Sequence, residues 1–199
     1  MPFILWGRTK APKDKETRVK LIIASDIHGA AEACDRLMQA IERKRPNRIV
    51  LLGDLLYHGP RNDLPGDYDP KHVIELLNAH ASRIIAVRGN CEAEVDQMVL
   101  GFPCMATYSQ LLDPATGRTL FFTHGHIYGP GLHNSVEKLP ALAPGDTLVY
   151  GHTHIKVSEP CPGKPDAWCF NPGSVGIPKD GTRSYGTYEN GRFEHHLLR

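Results

Sequence analysis

Seven polar residues of this sequence stand in five short blocks, and each block contains a glycine. The residues are Asp26, His28, Asp54, Asn90, His124, His152 and His154. The blocks are Ser25-Asp26-Ile27-His28-Gly29, Gly53-Asp54, Gly89-Asn90, Thr123-His124-Gly125 and Gly151-His152-Thr153-His154. Carboxylate, amide and imidazole groups together favour a hard-to-borderline divalent ion such as Mn, Fe or Zn, whereas a structural zinc site favours cysteine. The set is large enough to hold two such ions.

The blocks follow apolar runs that predict β-strands. In the first half of the chain these runs cover residues 21–24, 49–52 and 84–87. Between them, apolar residues at helical spacing predict one helix over residues 30–45 and another that begins at about Pro70. Open α/β sheets carry their sites at the carboxyl ends of strands, and we therefore expect the five blocks to converge on one site.

After residue 102 the pattern changes to short strands. Apolar runs predict strands at residues 110–112, 120–122 and 148–150, with a turn at residues 114–117 and a hairpin at Asn190-Gly191. One half of the chain thus consists of βαβ units and the other half is rich in β-structure. We predict a single domain over residues 19–199.

Residues 1–18 differ from the rest of the chain. They join a short apolar tetrad, which includes Trp6, to five basic residues. The tetrad is too short for the apolar region of a secretory signal, and no small-residue cleavage site follows it. We predict a flexible N-terminal extension. The alternative is an arm whose Trp6 packs on a neighbouring subunit of a homo-oligomer.

The composition predicts a globular cytoplasmic protein. The chain has 199 residues, 41% of them hydrophobic, which is enough to bury a core. A formal net charge of +1 provides no long-range field for nucleic acid, so a phosphate substrate must be held locally. No apolar run approaches the length of a membrane span. The five cysteines are odd in number and form no Cys-x-x-Cys motif, so we predict reduced thiols and do not favour a Cys161–Cys169 bridge.

The order of the five blocks, D-x-H, G-D, G-N, H-G and G-H-x-H, resembles that of the calcineurin-like metallophosphoesterase superfamily. The resemblance runs from about Val19 to the C-terminus. Within the superfamily, the short chain resembles the small bacterial phosphodiesterases of the YfcE type. The segments that carry this likeness are Gly89-Asn90-Cys91-Glu92, His58-Gly59-Pro60-Arg61-Asn62 and Asn171-Pro172-Gly173-Ser174. The resemblance implies a four-layer αββα sandwich, in which two mixed β-sheets are flanked by helices.

The resemblance also implies a set of ligands for each metal ion. One ion would be bound by Asp26, His28, Asp54 and His154, and the other by Asp54, Asn90, His124 and His152. Asp54 would bridge the ions, because the two oxygens of a carboxylate can hold ions about 3.5–4 Å apart. We expect two divalent ions per chain, with Mn first and Fe, Zn or Ni as alternatives. The predicted catalytic residues are Asp54, Asn90 and His124, and the predicted nucleophile is a hydroxide that bridges the metals.

Cys91 departs from the pattern of most of the superfamily, which has histidine after the asparagine. A thiol with an unperturbed pKa near 8.5 carries no positive charge toward a phosphate monoester dianion, so cysteine here favours diesters. Cys91 as a phosphatase nucleophile is disfavoured, because Glu92-Ala93-Glu94 follows instead of a glycine-rich loop with an arginine. The alternative is that Cys91 fills a small gap.

Four residues are predicted to contact the substrate: Arg61, Asn62, Cys91 and His126. Arg61 and Asn62 follow the bridging aspartate closely enough to reach a bound phosphate, which arginine can hold bidentately. A role in fixing the loop is the alternative for Arg61. His126 is predicted either to donate a proton in the cleft or to lie behind the metal ligands or at the protein surface.

Several further histidines and the segment that begins at Asn171 are assigned positions but no single role. His58 has the same two interpretations as His126, and the segment that begins at Asn171 is expected either to line the rim of the site or to form a turn. Three histidines lie outside every block and are expected at the surface: His133, His195 and His196.

Three functions compete at this point. The first is a metal-dependent phosphodiesterase that acts on a small phosphodiester, with neither a membrane nor long nucleic acid as partner. The second is a phosphomonoesterase or protein phosphatase on the same dinuclear site. The third is a non-catalytic scaffold of the type of the eukaryotic retromer subunit. Such a scaffold can lose ligands, whereas this chain retains all seven, and catalysis is therefore preferred.

Overall fold

The structure is a computed structural model that describes residues 19–199. The predicted N-terminal extension, residues 1–18, lies outside the described residues, so both interpretations of it stay predictions. Within residues 19–199, no helix combines the length and apolarity needed to cross a membrane. The helices are α1 (Ala31–Lys44), α2 (Pro70–Asn78) and α3 (Glu94–Val99). The strands are β1 (Lys20–Ala24), β2 (Arg48–Leu51), β3 (Ile84–Ala86), β4 (Tyr108–Asp113), β5 (Arg118–Thr123), β6 (Gly129–Pro130), β7 (Glu137–Lys138), β8 (Thr147–Val149), β9 (Lys156–Cys161), β10 (Lys164–Pro172), β11 (Ser184–Glu189) and β12 (Arg192–Leu197).

Two five-stranded sheets form the centre of the fold. The first has the strand order β12-β11-β1-β2-β3 and the second has the order β4-β5-β8-β10-β9, while β6 and β7 pair in a small separate sheet. In the first sheet β1, β2 and β3 are parallel, and in the second β5, β8 and β10 are parallel. The pairs β1–β11, β11–β12, β4–β5 and β9–β10 are antiparallel, so both sheets are mixed, as predicted.

The two sheets pack face to face. Alternate residues of β1 serve different cores, because successive side chains of a strand point to opposite faces. Ile23 lies in the core between the sheets, which also contains Phe122 and Phe170, whereas Ile22 lies in the core beneath α1 and α2. The outer face of the second sheet is covered by apolar residues of the segment 125–146, which holds β6 and β7 and no α-helix. The two mixed sheets and the helical layer agree with the predicted metallophosphoesterase fold.

Local signals in the sequence account for most of the elements. Pro70 begins α2, and Asp69 caps the helix by accepting hydrogen bonds from the backbone N–H groups of Lys71 and His72. Asn190 and Gly191 both have a positive φ, as a tight hairpin turn requires. Helix α3 was not predicted. Three of its six residues are exposed apolar side chains, so it lacks the amphipathic pattern by which helices are recognised.

The prediction that all five cysteines are thiols is wrong for two of them. Cys161 and Cys169 form a disulfide in the β9–β10 hairpin, with Cα atoms 5.1 Å apart. The register of this hairpin shifts between Lys164 and Trp168, and an irregularity of this kind cannot be recognised from the spacing of the cysteines. The other three cysteines, Cys34, Cys91 and Cys104, are free.

Candidate metal centre

All five blocks lie at the carboxyl ends of parallel strands. They follow β1, β2 and β3 in the first sheet and β5 and β8 in the second. Hydrogen bonds join the blocks across this edge: Asp26 N donates to Gly53 O (3.1 Å) and Gly151 N donates to His124 O (2.8 Å). The parallel parts of both sheets therefore deliver their polar side chains to one place, which is the convergence expected from the sequence.

The seven predicted ligands form one continuous cluster. Each has an atom within 3.7 Å of a donor or acceptor atom of another member. The pairs are Asp26 Oδ1–His154 Nε2 (3.2 Å), His28 Nε2–His154 Nε2 (3.3 Å), His28 Nε2–Asp54 Oδ2 (3.7 Å), His124 Nε2–Asp54 Oδ2 (3.5 Å), His124 Nε2–Asn90 Oδ1 (3.0 Å) and His124 Nε2–His152 Nδ1 (3.2 Å). Asp54 Oδ2 faces a histidine on either side.

Three of the histidines are oriented by backbone carbonyls. The Nδ1–H group of His28 donates to Tyr57 O and that of His124 donates to Leu52 O, both at 2.7 Å, and His154 Nδ1 donates to Ile177 O. A carbonyl only accepts hydrogen bonds, so each neutral ring carries its proton on Nδ1 and presents the Nε2 lone pair to the cluster. This outer hydrogen bond is the arrangement that metal-binding histidines use to fix the ring.

The inward-facing atoms are acceptors without enough donors. The Nε2 lone pairs of His28 and His154 face each other at 3.3 Å, and Asp26 Oδ1 is buried and accepts no hydrogen bond from the described residues. The other oxygen, Asp26 Oδ2, is satisfied by Ser25 Oγ (2.6 Å) and by His152 N (3.0 Å). Buried acceptors normally have partners. A cation is the partner that satisfies several such acceptors at once, and the donor set therefore fits divalent metal ions.

Five of the seven candidate ligands have a left-handed backbone. Their φ angles are 55° for Asp26, 51° for His28, 54° for Asp54, 68° for His152 and 59° for His154. Non-glycine residues rarely adopt this conformation, and it costs about 1–3 kcal/mol each when it is imposed by the surroundings. Such clustering is typical of sites where the position of a side chain matters more than backbone strain.

Two buried carboxylates set the electrostatics of the cluster. Burial alone would raise the pKa of Asp26, but His154 and His28 lower it well below its usual range. Burial also opposes ionisation of Asp54, yet His124 lowers the pKa of Asp54 to about 2. In return, and against its own burial, His124 has its pKa raised to about 9 by Asp54 and Asp26. The carboxylates thus attract positive charge, and a metal ion that binds here must displace protons from imidazole.

Glu92 positions two of the blocks, and no role was predicted for it from the sequence. Its carboxylate is buried and accepts hydrogen bonds from Asp54 N (2.9 Å), Leu55 N (2.7 Å) and Gly89 N. The approach is close, because a Cβ on Gly89 would lie 2.7 Å from Glu92 Oε2. Glu92 therefore ties the loop of Asp54 to the loop of Asn90. The only hint in the sequence was an acidic residue two positions after a ligand.

Asn171 and Ser174 lie behind the candidate metal ligands and not at the rim. Asn171 is fully buried, and its Nδ2 donates to Gly151 O (2.9 Å) and Thr153 Oγ1 (3.1 Å), which fixes the loop of His152 and His154. Ser174 Oγ donates to Asp26 O (2.8 Å). The rim interpretation of this segment is wrong, because β10 carries it beneath the cluster.

A cleft of about 490 Å³ opens over the cluster. Three of the predicted substrate contacts, Arg61, Asn62 and Cys91, line it. His126 does not. Its ring centre lies 5.3 Å from that of His124, and burial together with His124 lowers the pKa of His126 to about 4. Its role as a substrate contact stays a prediction.

The remaining histidines differ in whether they line the cleft or pack against other side chains. His133 is exposed, as predicted, but it lines the cleft together with Asn134 and Lys179, which the sequence analysis did not single out. The surface prediction is wrong for His195, which hydrogen-bonds Asn171 O (2.8 Å) and stacks on Phe170. It is also wrong for His196, whose half-buried ring stacks on Tyr185. His58 packs edge-on against Tyr57 and Tyr68 and does not line the cleft.

The chain is similar to known phosphoesterases over most of its length. It is 49% identical over 173 residues to Phosphodiesterase YfcE of Escherichia coli (strain K12), which covers 86% of this chain and 88% of that protein. The solved structure of this E. coli phosphoesterase matches with a TM-score of 0.79 and 44% identity, over 90% of this chain and all of the other. An archaeal phosphodiesterase matches with a TM-score of 0.64 over 90% of this chain and 99% of its own, but at 19% identity it shows the fold alone.

The family is defined by the match to a domain model. Residues 19–191 match the calcineurin-like phosphoesterase superfamily domain, and this span contains all five blocks of the candidate metal centre. Membership implies divalent metal ions, and the buried acceptors described above fit them. The chain belongs to the calcineurin-like phosphoesterase superfamily.

Proposed function

We propose that this protein is a phosphodiesterase that hydrolyses small phosphodiesters at a centre of two divalent metal ions. The observation that carries the proposal is the inward-facing acceptor set. The Nε2 lone pairs of His28 and His154 lie 3.3 Å apart, with Asp26 Oδ1 3.2 Å from the second of them. When both rings are neutral, these three acceptors have no hydrogen between them, and a cation satisfies them together.

The ligand set of each ion is part of the proposal. The first ion would be held by Asp26, His28, Asp54 and His154, and the second would be held by Asp54, Asn90, His124 and His152. The position of Asp54 Oδ2, 3.7 Å from His28 Nε2 and 3.5 Å from His124 Nε2, supports a bridging role. Oxygen and imidazole ligands suit Mn first, with Fe, Zn and Ni as alternatives. When bound, two such ions supply Lewis-acid charge to the phosphate oxygens and make hydroxide available near neutral pH.

The residues around the cleft hold and select the substrate. Arg61 and Asn62 line it and bind phosphate oxygens, and the amide of Asn62 is fixed by donation to His58 O (2.7 Å). Cys91 anchors the bridging carboxylate, because its backbone N–H donates to Asp54 Oδ1 (2.8 Å). Burial and the charge of Asp54 raise the pKa of the Cys91 thiol, so its side chain stays neutral.

The diester preference rests on that neutral thiol. A monoester dianion needs more positive charge in the cleft than a diester with one negative charge, and Cys91 supplies none. The name of the E. coli relative at 49% identity, a phosphodiesterase, supports this choice over a phosphomonoesterase or protein phosphatase. A non-catalytic scaffold is disfavoured because it has no use for seven clustered metal ligands.

The setting of the enzyme completes the proposal. We propose a cytoplasmic location, which the three free cysteines support and to which the Cys161–Cys169 disulfide is an exception. The formal net charge of +1 supports small phosphodiesters over long nucleic acid. A homo-oligomer remains the alternative setting for the N-terminal extension.

The test is a metal add-back experiment. The protein is stripped with a chelator, one ion at a time is restored, and hydrolysis of bis(p-nitrophenyl) phosphate and p-nitrophenyl phosphate is measured. We expect no turnover after stripping, recovery with Mn, and faster hydrolysis of the diester. Undiminished activity after verified removal of the metal would refute the metal mechanism, and a dominant monoesterase activity would refute the diester assignment.

A further inference from the structure

One wall of the cleft is a turn that begins a few residues after the ligand His124. The turn lies between β6 and β7, and backbone hydrogen bonds close its base: Val136 N donates to Gly125 O (3.1 Å) and Gly131 N donates to Val136 O (3.0 Å). Gly129 packs so closely that a Cβ would lie 2.7 Å from Val136 O. The turn is thus held firmly, and His133 and Asn134 at its tip line the same cleft as the metal ligands.

The tip of this turn is strained. His133 and Asn134 are consecutive non-glycine residues with φ angles of 50° and 70°. Both side chains are exposed, so burial does not repay the strain of about 1–3 kcal/mol per residue. Glycine would adopt this backbone without cost. Histidine and asparagine at a position where the backbone favours glycine indicate that the side chains have a function.

Cleavage of a diester is faster when a proton donor lies near the leaving group, and an imidazole in the cleft can be that donor. An alkoxide leaving group departs slowly unless it receives a proton. Outside the ligand set, the ionisable side chains that line the cleft are those of Arg61, Cys91, His133 and Lys179. Arginine and lysine side chains hold their protons near neutral pH, and a thiol is a reluctant donor without positive charge. Imidazole is the group that readily gives and regains a proton there.

We propose that His133 is the general acid that protonates the leaving group, an inference that rests on the proposed phosphodiesterase function. Hydroxide adds to phosphorus, the bond from phosphorus to the leaving oxygen breaks, and its electron pair stays on that oxygen. As that bond breaks, the leaving oxygen takes the proton of the His133 imidazolium. Neutral imidazole remains and regains a proton from water.

The test compares two diesters of the same charge and similar shape. Diphenyl phosphate expels a more basic leaving group than bis(p-nitrophenyl) phosphate and depends more on a proton donor. The variant is His133→Asn, because asparagine tolerates the left-handed backbone but cannot act as an acid. We expect the ratio of kcat/KM for diphenyl phosphate to that for bis(p-nitrophenyl) phosphate to fall about 10- to 100-fold. This is at or below the lower end of the ~10²–10⁴-fold contribution of a general acid, because the diester with the better leaving group also loses part of that contribution. His72→Asn, on the surface of α2, is the matched control and should keep the ratio.

A second measurement does not depend on turnover. The imidazole resonances of His133, assigned by their loss in H133N, should shift when the slowly reacting diester dimethyl phosphate is added. If wild-type protein hydrolyses neither aryl diester, the proposed function itself fails. If it hydrolyses both and H133N lowers both equally or neither, or if the resonances do not move, the assignment of His133 is overturned and the phosphodiesterase function stands.

Discussion

Replacement of Glu92 by glutamine is expected to loosen the metal centre without removing any ligand. The Glu92 carboxylate accepts three buried backbone N–H groups, from Asp54, Leu55 and Gly89. Glutamine has one acceptor oxygen. If that oxygen takes the place of Oε2, Leu55 N loses its partner, and if it takes the place of Oε1, both Asp54 N and Gly89 N lose theirs. In either case the amide NH₂ group faces a backbone donor.

The magnitude follows from this count. A buried N–H left without a partner costs about 1–3 kcal/mol, and the bonds that remain lose the charge that makes them about twice as strong. One effect partly offsets this loss of stability. Burial and the neighbouring Asp54 raise the pKa of Glu92, so an uncharged glutamine removes the repulsion between the Glu92 and Asp54 carboxylates. We therefore expect a loss of about 2–3 kcal/mol in the free energy of unfolding. Metal affinity should fall about 10- to 100-fold, as it does when groups that orient ligands are removed.

Both quantities can be measured against a matched control. Urea unfolding reports stability, and competition with a chelator of known affinity reports metal binding. Glu94→Gln makes the same chemical change on an exposed residue two positions away and should alter neither quantity. If E92Q matches E94Q in both measurements, Glu92 does not position the blocks of Asp54 and Asn90.

Three further predictions concern the ligands and the cleft. Asp54→Ala should weaken the binding of both metal ions and abolish nearly all turnover, whereas Asp26→Ala should mainly empty one of the two metal sites. If metal analysis finds both sites of D54A fully occupied, Asp54 does not bridge the ions. Arg61→Ala should raise KM more than it lowers kcat, because Arg61 is expected to stabilise the bound substrate and the transition state equally. An unchanged KM would indicate that Arg61 only fixes the loop. Cys91→His should raise the monoester-to-diester ratio of turnover by about one to two decades, since imidazole can carry a proton and a charge toward phosphate. With intact metal content and diester turnover, an unmoved ratio would show that Cys91 does not set the substrate class.

The sequence was sufficient to predict the parts of the fold that obey strong local rules. Strands β1, β2 and β3 contain continuous apolar runs, and each ends one to three residues before a polar block. The approach of the seven candidate ligands followed from this placement, because parallel strands end at a common edge. The hairpin at Asn190-Gly191 followed from turn chemistry alone.

What could not be predicted depends on tertiary contacts. The Cys161–Cys169 bridge depends on a register shift, and register is a property of paired strands. The role of Glu92 depends on its burial against three backbone donors from two separate loops. His133 stands in no motif, and its place on the cleft wall results from the closed base of the β6–β7 turn.

The left-handed ligands have a consequence for protein engineering. The clearest case is His152, whose side chain, among the described residues, pairs only with His124 Nε2 and holds no backbone group, so that replacement by glycine removes backbone strain together with the candidate ligand. We expect His152→Gly to be more heat-resistant than the parent whenever metal is scarce, and inactive. Selection for thermostability in a chelating buffer would therefore enrich proteins that have lost the centre. The same selection with metal present would retain it, because metal binds the native state and repays the strain.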